Sequence, residues 1–206
     1  MKFISLILLL SFGFKLSAQE ADFEAFINKF PKADLPYTCA YKPNLKFNKS
    51  LKISKLEAET WLAYFKSPFG HEVNLYEVLI EPFGPTKGRG GRTLVTKMEA
   101  EKVALLKKTD DYVMILTRVK FLEKVADYSE GERYLLHTFQ PDGTPISVLW
   151  VAQRIQFDLH YNQISSKIDA NGLITSTVEV FAPSENTKKE EVFQIQENGE
   201  IVVIKE

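Results

Sequence analysis

Hydrophobic and polar positions along the chain follow two periods, a helical one before Pro68 and a two-residue alternation from Val73 onward. Phe23, Phe26, Ile27 and Phe30 stand at i, i+3, i+4 and i+7, the spacing that lines one side of a short helix. Pro31 ends it, because the residue before a proline is pushed out of the α region. Asp22 and Glu24 sit at its positive end and Lys29 near its negative end, as the helix dipole favours. A second helix is predicted to open at Ser54-Lys55-Leu56-Glu57, a capping box in which Ser and Glu each satisfy an amide of the first turn. Ala58, Trp61, Leu62 and Phe65 repeat the helical spacing, and the helix should stop before Pro68. Neither helix can bury its stripe alone, so both are expected to pack on the strands that follow.

Strands are predicted at Val73–Glu81, Thr93–Met98, Val103–Lys107, Tyr112–Leu122, Arg133–Phe139, Ile146–Gln153, Gln156–Ser165, Leu173–Phe181, Glu191–Gln196 and Ile201–Lys205. Met98–Leu106 suits neither period cleanly, and a third helix is the alternative there. Asn171-Gly172 and Asn198-Gly199 are the strongest short hairpin signals. Pro141-Asp142-Gly143-Thr144-Pro145 supplies turn chemistry between two apolar runs, so Tyr134–Ala152 reads as an antiparallel hairpin at the centre of a meander. Within it, alternation places Val148, Trp150 and Ala152 on one face and Leu149 and Val151 on the other. A sheet apolar on both faces is covered on both sides, by helices on one and by its own curvature on the other. The expected fold is α+β: an antiparallel twisted β-meander of roughly eight to ten strands with two N-terminal amphipathic helices packed on it.

Lys2, the apolar run Phe3–Phe14 and the small residues Ser17-Ala18 have the form of a secretory signal, too short to span a bilayer. Residues 1–19 are therefore expected to be cleaved, leaving 20–206 as one domain, with a helical part at 20–70 and the antiparallel sheet at 71–206. The expected location is periplasmic or secreted, with no transmembrane span in the mature chain. Losing Lys2 and Lys15 shifts the formal net charge from −1 to −3, which offers no attraction for nucleic acid. Cys39 is the sole cysteine, so no intramolecular disulfide forms, and its position far from the signal is not that of a lipidated cysteine. It reads as a small buried hydrophobe.

Candidate chemistry is sparse. Gly84-Pro85-Thr86-Lys87-Gly88-Arg89-Gly90-Gly91-Arg92-Thr93 combines glycines with cations, so Lys87, Arg89 and Arg92 are candidate anion contacts. The glycine spacing is not that of a phosphate loop. His71, His137 and His160 lack metal-ligand spacing, and His137 reads as a structural histidine within a strand; no cofactor or metal is implied. No serine stands in a nucleophile elbow. Asp110, Asp111, Glu130, Glu132 and Asp142 could serve as paired carboxylates, yet all fall in predicted turns. Fifteen Phe, eight Tyr and two Trp exceed what a bare sheet core needs, and Trp150 and Tyr161 are candidate ligand contacts on strands.

Several features together resemble a loose group of exported bacterial β-sheet proteins. They are Leu35-Pro36-Tyr37 after a helix, Ile53-Ser54-Lys55 opening another, Tyr134–Phe139 before a Gly turn with Ile146–Leu149 after it, and a terminal hairpin Phe193-Gln194-Ile195 … Asn198-Gly199-Glu200-Ile201-Val202. The resemblance implies export and a meander, and carries no catalytic residue. The expected function is a non-catalytic binding or interaction domain of the bacterial envelope, its partner an envelope protein or glycan. The alternatives are an envelope hydrolase acting on glycan or peptidoglycan, and an immunity or inhibitor protein.

Overall fold

The computed structural model describes residues 19–42, 45–62, 65–68, 72–73, 86–87, 93–94, 98–121, 129–157, 160–183 and 186–205. Helix α1 covers residues 19–27 and α2 covers Lys55–Trp61. The strands are β1 (Tyr37–Cys39), β2 (Phe65–Lys66), β3 (Glu72–Val73), β4 (Thr86–Lys87), β5 (Thr93–Leu94), β6 (Met98–Lys108) and β7 (Val113–Phe121). They continue with β8 (Ser129–Phe139), β9 (Pro145–Phe157), β10 (His160–Ile168), β11 (Leu173–Phe181), β12 (Asn186–Ile195) and β13 (Ile201–Lys205). From β6 to β13 each strand pairs antiparallel with the next, so the sheet is an open meander in chain order. β1 joins it beside β10, and β2 pairs with β3 and, at Lys66–Ser147, with β9.

The capping box forms as the sequence dictates: the Ser54 hydroxyl accepts from the Glu57 N–H (3.2 Å) and Glu57 Oε2 from the Ser54 N–H (2.8 Å). Glu57 then reaches Lys102 on β6 at 2.9 Å and Lys29 at 3.0 Å. Burial alone would raise its pKa; the Ser54 amide and the two ammonium groups outweigh that and hold it at about 2. α2 ends at Trp61 rather than running towards Pro68. Phe65 lies in β2 instead, its ring 4.9 Å from that of His137 and 5.2 Å from that of Phe139. Burying that ring on the sheet outweighs another turn of helix.

Phe23, Phe26, Ile27 and Phe30 are all buried, together with Trp61, Leu62 and Phe65, against Val113, Ile115, Val119, Leu135, Phe139 and Val148 of the sheet. The alternate residues Met114, Leu116, Tyr134, Leu136, Leu149 and Val151 belong to a second core with Phe193, Ile195 and Ile201. The Ile201 N–H donates to the Ser147 hydroxyl at 3.2 Å, so β13 touches β9 although three strands separate them in the sheet. The sheet curls, and its last strands cover the face the helices leave open. The outer edge of β6 is occupied too: Leu105 N–H donates to Pro31 O (2.8 Å) and Ile53 N–H to Ala100 O (2.9 Å).

Three expectations need correction. Met98–Lys108 is one strand with no third helix; register shifts at Lys102/Ala104 and Leu105/Lys107 break its period, which is why neither template fits. The break expected after Gln153 falls later, for β9 runs to Phe157 and Phe157 pairs with His160. An irregularity opposite Tyr134/Leu135 moves Ala152 to the side of Leu149 and Val151. All but the last residue of the expected signal segment, and most of Val73–Glu81, lie outside the described residues. Among the described residues no helix is long and apolar enough to cross a membrane.

Candidate functional site

Strands β8, β9 and β10 carry an aromatic and polar group on one face. Arg133 stands opposite Gln153, which in turn stands opposite Ile164. Asn162, two residues from Ile164, shares that face. The Arg133 guanidinium lies 4.7 Å from the Trp150 ring, placing both on the same side. Trp150 is 43% exposed, whereas Gln153 is 6% exposed. Gln153 Oε1 and Asn162 Oδ1 are both buried without a hydrogen-bond partner. Burial lowers the Arg133 pKa, a sign of how little water reaches that guanidinium. The local sequence explains the arrangement. Arg133, Gln153 and Asn162 occupy alternating strand positions, and the irregularity after Trp150 realigns the indole with Arg133.

The opposite face holds a separate row. Arg154 pairs with Glu132, the neighbour of Arg133, and therefore points away from Trp150. Its guanidinium lies 5.2 Å from the Tyr41 ring and 4.9 Å from that of Tyr161, and Tyr161 stacks on Phe181 at 4.1 Å. The two aromatic candidates of the sequence, Trp150 and Tyr161, thus sit on different sides of the sheet. Lys87 is on β4, which pairs with β5 through Lys87–Thr93; Arg89 and Arg92 lie outside the described residues.

Sequence reasoning missed a buried ionic cluster. Arg118 is fully buried, its Nε 2.8 Å from Glu101 and its Nη1 4.0 Å from Glu132. It also donates to the carbonyls of Lys46 (3.2 Å) and Leu45 (3.5 Å), and Asn48 N–H donates to Glu101 at 2.7 Å. Beside it, burial pushes the Tyr134 phenol up to about 12, against the opposing pull of its hydrogen bond with Arg118. The one available signal was a single guanidinium inside the apolar run Val113–Val119. The described acids proposed for hydrolysis divide between the two ends of these strands. Asp142 Oδ1 accepts from the Thr144 N–H in the β8–β9 turn at 2.9 Å, and Asp110 and Asp111 are exposed in the β6–β7 turn. Glu132 pairs with Lys120 at the other end of these strands, and nothing is described of the Glu130 side chain.

Comparison with known protein families, characterised proteins and solved structures finds no match for the chain. The reading of the site therefore rests on its own groups. Cys39 is 3% exposed and burial pushes its thiol up to about 12, so it is held as the thiol at neutral pH. Among the described residues no cluster of three or more His, Cys, Asp or Glu is set to hold a metal ion.

His137 is fully buried, its Nε2 2.8 Å from the Thr117 hydroxyl, and burial lowers its pKa from 6.5 to about 3. Between those values the unfolded chain binds a proton that native His137 refuses. Its contribution to stability is thus complete above pH 6.5 and lost as pH falls through that window. The shift predicts a loss of roughly 2 kcal/mol between pH 7 and pH 5. Glu57 and Glu24, both held below 4.5, add their losses only at lower pH. Urea unfolding at the two pH values should show this slope in the wild type and its absence in His137→Leu, whatever that variant's own stability.

Proposed function

We propose that the chain is a non-catalytic binding module of the bacterial cell envelope, reached by export, which presents Trp150, Arg133, Gln153 and Asn162 to a ligand. The observation that carries this reading is the pair of buried, unpartnered acceptors beside an exposed indole. Folded proteins pair the large majority of buried side-chain polar atoms. Leaving one unpaired costs about 1–3 kcal/mol, a cost that a ligand's donor removes on binding. An open Trp beside convergent polar groups is the composition of a ligand site. The shifted His137 and Cys39 are both buried in packing, which supports binding over acid–base or thiol chemistry. In this reading the two amphipathic helices near the start of the chain buttress the sheet, and the ligand meets the face beyond them.

Native mass spectrometry of the protein isolated from its host's envelope tests the proposal. A co-purifying molecule or protein partner is expected on the wild type. Trp150→Ala should reduce its occupancy at least tenfold with an unchanged melting temperature, because the side chain is exposed and central to the face. Tyr161→Ala, on the other side, should retain it. A species kept by Trp150→Ala and lost by Tyr161→Ala would move the site to the Arg154 row and sink the reading.

A further inference from the structure

We infer that the ligand of the Trp150 face is a neutral saccharide, stacked on the indole, with hydroxyls donating to Gln153 Oε1 and Asn162 Oδ1. This rests on the binding reading above and names the chemistry that reading leaves open. A ligand that satisfies both buried acceptors brings at least two donors. A side-chain amide turned by 180° presents N–H in place of oxygen. A hydroxyl, donor and acceptor at once, answers either orientation, whereas an ammonium or a carbonyl answers only one.

A peptide is the competing donor-rich ligand, and the topology argues against it. Arg133, Gln153 and Asn162 stand where β8, β9 and β10 are paired with neighbours on both sides, with no free edge for an added strand. A peptide would have to meet these three residues through side chains alone. A pyranose instead lays its C–H surface on the indole and points its hydroxyls at the rim. Among the described side chains of β8 and β9, Arg133 is the one formal charge on this face, and its guanidinium already lies against Trp150, so no described acid draws a cationic donor there.

The test is titration of the purified protein with cellotetraose, chitotetraose and maltotetraose, followed by calorimetry and by Trp fluorescence. Saturable binding of at least one is expected, abolished in Trp150→Ala and weakened at least tenfold in Gln153→Met and Asn162→Leu. Gln153→Met should also melt at the same or a higher temperature, since it removes a buried, unsatisfied oxygen. A merely structural glutamine would lower the melting temperature instead and leave binding unchanged. No saturable binding of any of the three overturns the inference. If the species seen by native mass spectrometry still depends on Trp150, the binding module stands and only the saccharide falls. If that species persists in Trp150→Ala, the binding reading falls with it.

Discussion

Replacing Arg118 by leucine is expected to lower the unfolding free energy by about 3–5 kcal/mol, a large part of the stability of a domain this size. The guanidinium has no solvent exposure and stands between two nearly buried carboxylates, Glu101 and Glu132. It also ties down the carbonyls of Leu45 and Lys46. Leucine would fill much of the volume but remove the guanidinium that faces both Glu101 and Glu132 in a poorly solvated site. Adding Glu101→Gln and Glu132→Gln to the leucine variant should recover part of the loss, because neutral amides need no counter-charge. Urea unfolding of the single and triple variants decides the matter. A loss under about 1 kcal/mol for Arg118→Leu would show that the cluster is solvated and weakly coupled.

That cluster also marks where the sequence stops being readable. Period and turn chemistry are local, and the elements they govern were legible: the stripe Phe23–Phe30, the Ser54 capping box and the hairpins at Gly143, Gly172 and Gly199. Burial of a charge is decided by residues far along the chain. Arg118 meets Glu101 on another strand and carbonyls more than seventy positions away, so nothing local distinguishes it from a solvated arginine. The same limit applies to β6, whose bulges erase the alternation, and to Ala152, moved across the sheet by one irregularity. In the candidate site Trp150 could be picked out because an indole on a strand is costly to waste. Arg133, Gln153 and Asn162 could not, because their meaning lies in the pairing Arg133–Gln153 and in the hydrogen-bond partners that Gln153 Oε1 and Asn162 Oδ1 lack. Tyr161 was legible as an aromatic but not as lying on the other face, since face is set by register.

The second large effect is expected at Gly143, where Gly143→Ala should cost about 2–5 kcal/mol. The residue has φ +91°, a conformation that costs an L side chain about 1–2 kcal/mol. The rest comes from packing: an added Cβ would lie 2.6 Å from the Trp61 ring and 2.8 Å from that of Phe23. Those rings lie 5.1 Å apart and cover the β8–β9 turn, so neither moves without disturbing the helix layer. Overpacking of this kind adds about 1–3 kcal/mol. Gly172→Ala is the control, because Gly172 has a similar φ of +82° but its added Cβ meets no atom closer than 3.2 Å. It should show the conformational cost and little else. The difference between the two variants, read from urea unfolding, measures how firmly the turn is docked beneath α1 and α2. Equal losses would mean that the central hairpin and the helices are not in contact there. A larger loss at Gly143, partly relieved by Trp61→Leu in the same chain, would show that the helices buttress the hairpin from which the Trp150 face extends.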